Sequence, residues 1–124
     1  MQDYRKLHAW QKSHSLALRT YAVTATFPKA ELFALTSQMR RAAVSAPANI
    51  AEGCYRGSKG TQAQSLRIAL GSAAELEYYL ILAADLKLLS QVDAQNLMKE
   101  VSDVKRVIAG FLKAVTTPTA NGER

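Results

Sequence analysis

Apolar residues in this chain return at alternating steps of three and four, the spacing that gathers side chains on one face of an α-helix. The C-terminal part shows it most plainly, with Ala94, Leu97, Val101, Val104, Ile108, Phe111 and Val115 in one seam. The same rhythm joins Leu66, Ala69, Ala73, Leu76, Leu80 and Ala83, and, near the start, Leu7, Trp10, His14, Ala17 and Tyr21. A fainter version in smaller residues passes through Leu35, Met39, Ala42, Ala46 and Asn49. No stretch alternates with the period of two that a half-buried strand needs.

Punctuation divides these seams into four helices. The first is predicted over Tyr4 to Ala25, because the residue before Pro28 resists helical backbone. The second follows over Lys29 to Arg56, with Glu31 facing the positive end of its dipole. Ser58 is placed to cap a third over Lys59 to Leu89. Ser90-Gln91-Val92-Asp93 reads as a capping box opening a fourth over Gln91 to Val115. The polar tail from Thr116 to Arg124 is expected to be flexible. Pro47 falls inside the second helix, where it removes a hydrogen bond to the Ala43 carbonyl and predicts a kink. Helices of matched length with short connections predict an all-α fold, an antiparallel up-down-up-down four-helix bundle over residues 1–115.

Composition narrows the function classes. The chain has 124 residues, 48% apolar and 21% charged, as an ordinary globular domain does. Charges interrupt every apolar run, so no membrane span is expected. The start, MQDYRKLHAWQK, lacks the basic-then-apolar order of a signal peptide. Cys54 is the single cysteine, which leaves no intrachain disulfide and agrees with a cytoplasmic location. The net charge of +6 sits in residues 1–60, where nine Lys/Arg face Asp3, Glu31 and Glu52; the remainder is balanced. Such an excess favours polyanionic partners.

The stretch Leu35-Thr36-Ser37-Gln38-Met39-Arg40-Arg41-Ala42-Ala43-Val44-Ser45-Ala46-Pro47-Ala48-Asn49-Ile50-Ala51-Glu52-Gly53 resembles the signature of a bacterial family, the four-helix-bundle proteins of 23S ribosomal RNA intervening sequences. Trp10-Gln11-Lys12, Phe27-Pro28 and Ala69-Leu70-Gly71-Ser72-Ala73-Ala74-Glu75-Leu76-Glu77 extend the likeness in the family's order. The chain departs at Ala46, where a larger aliphatic is common, and at Ala63-Gln64, where an aromatic is often seen. The resemblance implies a four-helix bundle with a kinked second helix, a ring-like homo-pentamer and no established enzymatic activity. More distantly, the family is similar to the accessory variability protein of diversity-generating retroelements, a basic pentameric bundle that binds nucleic acid and a reverse transcriptase.

Three constellations are candidates for function. Arg5, Lys12 and Arg19 recur every seven residues, as do Lys99, Arg106 and Lys113, so two stripes on neighbouring helices could neutralise nucleic-acid phosphates. A plain solvated surface accounts for the same pattern, since outward heptad positions are normally charged. Gln38, Arg40, Arg41, Asn49 and Glu52, with Glu75 and Glu77, form a polar set that reads as a network fixing helix register or subunit contacts, or as an anion or partner site. The third helix is apolar on nearly every side, which points to an oligomer interface through Ile68, Tyr78, Ile81, Leu82 and Leu89.

Other chemistry is thin. His8 and His14 lack the i, i+4 zinc spacing. His14 is expected on the buried seam, and Trp10 reads as core before it reads as a stacking platform. No phosphate loop, dinucleotide fingerprint or serine elbow is present, so no catalytic residue, metal or cofactor is expected. The sequence thus predicts a non-catalytic homo-oligomer that binds RNA or DNA, with a protein–protein scaffold as the alternative.

Overall fold

Coiling a three-four pattern leaves each helix one stripe that water disfavours, and four such stripes close on one another in the structure, a computed structural model that describes residues 3–118. The helices are α1 (His8–Thr24), α2 (Ser37–Arg56), α3 (Lys59–Asp85) and α4 (Gln91–Thr116). Helix α1 lies against α2 and α4, and α3 lies against the same two, so the four enclose one core. Leu16, Met39, Ile50, Leu66, Leu76, Leu80, Leu97, Val101 and Ile108 fill it with almost no exposure. Along the α2–α3 contact, Gln38 meets Tyr79, Ser45 meets Ser72 and Gly53 meets Ser65, so the two helices run in opposite directions.

The seam of α1 differs from the expected one. Ala9, Ser13, Leu16, Ala17, Thr20 and Thr24 are buried, whereas His14 and Tyr21 are exposed and Leu7 and Trp10 only half-buried. Hydroxyl residues defeat a purely apolar reading here, because each returns a hydrogen bond to its own helix. Ser13 donates to the Trp10 carbonyl (3.1 Å), Thr20 to Leu16 (2.8 Å) and Thr24 to Thr20 (2.7 Å). With their donors satisfied, these small side chains are buried without loss.

Helix boundaries also shift. Tyr4–Lys6 forms a separate tight turn, and Leu7 is extended (φ −77°, ψ 131°), so the first helix starts at His8. Lys29–Glu31 and Leu32–Thr36 make a tight and then a wide turn, with Ala34 outside helical geometry (φ −121°, ψ −106°), and regular α2 begins at Ser37. Pro47 is buried within α2. Gly57 ends α2 at φ +84°, a conformation that suits glycine. Ser58 and Ser90 cap the next two helices, accepting from the backbone of Thr61 and Asp93 at 3.1 Å each. Helix α3 stops at Asp85, short of Leu89. Lys87 turns left-handed (φ 62°), and Leu88 donates to the Ala83 carbonyl at 2.9 Å, closing the helix end. No helix among the described residues is long and apolar enough to cross a membrane. Residues 119–124 of the expected tail lie outside the described residues.

Candidate nucleic-acid interface

Helix-helix contact brings the expected basic stripes of α1 and α4 together, and it brings carboxylates with them. Arg19 Nε lies 2.9 Å from Glu100 Oε2, Lys12 Nζ 3.9 Å from Asp103, and Arg106 2.9 Å from the same Asp103. Burial pushes the Glu100 carboxyl above its ordinary range, and the charges of Arg19 and Lys12 pull it partly back. Arg5 stands apart from the stripe, because the extended Leu7 separates its turn from α1; it pairs with Asp3 at 3.2 Å. A backbone hydrogen bond from Arg5 and the Arg5 side chain together hold the Asp3 carboxyl below its usual range. Of the six predicted phosphate ligands, Lys99 and Lys113 alone have no carboxylate within 4 Å among the described residues.

The excess of positive over negative charge gathers elsewhere, at the end of the bundle where α1 begins, α2 turns into α3, and α4 finishes. Tyr4 reaches the ring of Tyr55 there, and Lys59, Gly60, Ala63 and Arg67 of α3 line a groove of about 490 Å³ with Val115 and Thr116 of α4. Among the described residues this end carries Arg5, Lys6, Arg56, Lys59, Arg67 and Lys113 against Asp3 and Glu52. Arg56 is tied to Glu52 at 3.2 Å, whereas Lys6, Lys59, Arg67 and Lys113 have no carboxylate within 4 Å among the described residues. The opposite end sets Lys29, Arg40, Arg41, Lys87 and Lys99 against Glu31, Glu75, Asp85 and Asp93, five cations and four carboxylates. Heptad spacing does not reveal this cluster, because its members come from four different elements. The one available signal was the charge excess of the first sixty residues.

The same end holds a chain of rings. Tyr4 meets Trp10 edge-on with centroids 5.3 Å apart, and Tyr55 at 6.4 Å. Trp10 stacks on His14 at 4.7 Å with planes 12° apart. His14 is therefore a surface ring, in correction of its predicted place on the seam, and Trp10 joins the core's edge while also stacking.

The polar set of α2 and α3 divides into separate units. Gln38 accepts from Arg41 and lies 3.5 Å from the Tyr79 hydroxyl, which donates to Glu75 at 2.9 Å. That hydrogen bond to a carboxylate raises the Tyr79 pKa. Ser72 donates to Ser45 at 2.8 Å across the helices, but Asn49 bonds only to Ser45 on its own helix. Glu77 pairs with Lys105 of α4 at 2.9 Å. Arg40 leaves the set altogether, donating to Thr24 Oγ1 at 2.8 Å and lying 4.6 Å over the Tyr21 ring. Tyr79 and Ser72, the cross-helix partners, were absent from the predicted set.

An open groove of about 680 Å³ runs beside this network, lined by Tyr21, Leu32, Phe33, Arg40, Arg41 and Val44 among others. Phe33 there is 92% exposed, and the sequence reading passed over it. On α3, Ile68, Tyr78 and Ile81 are exposed as an interface requires, at 46%, 57% and 45%. Two of the predicted interface residues are corrected: Leu89 is buried in the chain's own core beyond the end of α3, and Leu82 is half-buried against that core. Among the described residues no three His, Cys, Asp or Glu side chains gather as a metal-binding group. Cys54 is buried, which raises its thiol pKa.

Comparison with known proteins agrees with the four-helix architecture. No curated protein matches the chain. The chain is similar in structure to a protein of unknown function from the S23 ribosomal protein family of Bacteroides thetaiotaomicron, solved by crystallography at 1.70 Å. The TM-score is 0.76 at 23% identity, covering 85% of this chain and 98% of that one, a likeness of fold. The model of the 23S rRNA-intervening sequence proteins matches residues 5–110, and the chain belongs to that family.

Proposed function

We propose that this protein is a non-catalytic, homo-oligomeric basic bundle of the cytoplasm that binds nucleic acid through its backbone phosphates. The observation that carries the reading is the cluster of unpaired cations at one bundle end, Lys6, Lys59, Arg67 and Lys113. Phosphate neutralisation needs cations that are not already neutralised, and long-range attraction focuses where like charges accumulate. The α1–α4 face, with Lys12, Arg19 and Arg106 held by Asp103 and Glu100, contributes little by the same reasoning. Glu52 and Glu75 are engaged by Arg56 and Tyr79 on different helices, which favours a binding role over acid–base catalysis by that pair.

Self-association rests on Ile68, Tyr78 and Ile81, whose half-exposed apolar surface lies along α3, and on the family resemblance, which implies a pentamer. The alternative, a scaffold with no nucleic-acid role, draws on that same face. Labelled RNA and DNA titrated at two salt concentrations separate the readings. Nucleic-acid binding gives an affinity whose logarithm falls linearly with the logarithm of salt. Absence of binding at micromolar protein and low salt leaves the scaffold. Light scattering tests assembly, and a monomer at every concentration ends the oligomer proposal.

A further inference from the structure

The ring chain at the basic end has no structural task that would require all its members to be aromatic. Tyr55 is 63% exposed, His14 is exposed, and Tyr4 sits in a turn with no buried residue. The turn is nevertheless held firmly. Asp3 accepts from the Arg5 backbone at 3.1 Å, Leu7 donates to the Tyr4 carbonyl at 3.0 Å, and Gln11 clamps the Arg5 carbonyl at 2.9 Å. Three separate contacts thus fix the turn that carries Tyr4, with the unpaired Lys6 in the same turn.

Water disfavours exposed rings, so their concentration here calls for a partner that offers both aromatic faces and negative charge. A duplex offers the charge, but its base faces are covered by their neighbours. A single strand offers both, since each unpaired base presents a face to stack and each link a phosphate to neutralise. The parallel Trp10–His14 stack shows the geometry such a base would continue.

We infer that Tyr4, Trp10, His14 and Tyr55 form a stacking surface for single-stranded nucleic acid, with the unpaired Lys6 of the same turn holding an adjoining phosphate. The inference rests on the nucleic-acid reading above and specifies its ligand. An acidic peptide carries charge without a series of flat rings and fits the array less well.

The test uses the whole protein and the emission of Trp10, the one tryptophan. A short oligouridylate should quench that emission and bind at least about tenfold tighter than a duplex of equal length, the worth of one stacked base. Tyr55→Ala and His14→Ala, both on the surface, should each weaken single-strand binding by about tenfold and leave duplex binding and the circular dichroism unchanged; Tyr55→Phe should retain it. Equal, salt-sensitive binding of both forms, untouched by Tyr55→Ala, overturns the stacking surface and leaves phosphate binding standing. No binding of either form at low salt overturns both.

Discussion

Both ends of the bundle expose rings and set them among different charges. At the end where α1 begins, Tyr4, Trp10, His14 and Tyr55 stand beside cations without carboxylate partners. At the other, Phe33, Tyr21 and Tyr78 stand where Arg40, Arg41 and three lysines are nearly offset by four carboxylates. Apolar exposure alone marks both as places for a partner. Charge separates them, because a polyanion is drawn to an uncompensated excess, whereas a protein surface packs best where charge is already balanced. One small bundle can in this way divide two kinds of recognition between its ends.

The largest effects should show that the ends differ in surface and not in packing. Leu66 in the basic half and Leu80 in the other are both core residues of α3, at 1% and 0% exposure. Leu66→Ala and Leu80→Ala should each lower stability by about 2–5 kcal/mol in urea denaturation. A near-neutral result at one site would mean that its end is loosely packed, and the comparison would then concern rigidity.

Charge is tested next. Neutralising Lys59 and Arg67 together (Lys59→Gln with Arg67→Gln) should weaken single-strand binding by about tenfold or more and lower the salt slope by about 1.4. Lys12→Gln with Arg106→Gln removes as much formal charge from the paired face. It should change affinity less than about threefold, because those cations already have partners. Equal losses would show that net charge acts from anywhere on the molecule and that the ends are equivalent.

At the balanced end the readout is assembly. Tyr78→Ser with Ile81→Ser should weaken self-association by roughly tenfold, as loss of buried apolar area dictates, with the stability of the single chain little altered. Sedimentation that shows an unchanged oligomer would remove α3 from the interface.

Legibility in the sequence followed the same division between packing and surface. The seams of α3 and α4 could be read directly, since large aliphatics at three-four spacing have one stable use, and Leu76, Leu80, Leu97 and Val101 are indeed buried. The seam of α1 could not, because Ser13, Thr20 and Thr24 hide their hydroxyls against their own backbone and so take core positions that polarity appeared to forbid. The stripe of Lys12, Arg19 and Arg106 was correctly placed on neighbouring helices. Its neutralisation by Glu100 and Asp103 depends on rotational phase between helices, which one helix's pattern does not contain. The basic end is a tertiary cluster drawn from four elements, and periodicity sees elements one at a time.

The smallest effect is the most direct test of whether pairing silences the α1–α4 cations. Glu100 is partly buried, and Oε2 makes no aligned hydrogen bond although Arg19 Nε lies 2.9 Å away. Burial raises its folded pKa above the unfolded value, so the folded state binds its proton more readily. Stability therefore falls as pH rises from the ordinary carboxylate range through that raised value, and the loss is complete at neutral pH. Glu100→Gln removes the loss: the variant should match the parent at acid pH and exceed it slightly at neutral pH in thermal unfolding. It also frees Arg19 and loosens the hold on Lys12. If those cations are quiet only because they are paired, the same substitution should strengthen nucleic-acid binding by about two- to threefold at low salt, with the gain vanishing as salt screens it. A variant less stable at neutral pH would mean that the Arg19 contact outweighs the burial. A variant with no gain in binding would mean that the side face lacks the geometry for phosphate, paired or free, and that the basic end alone carries recognition.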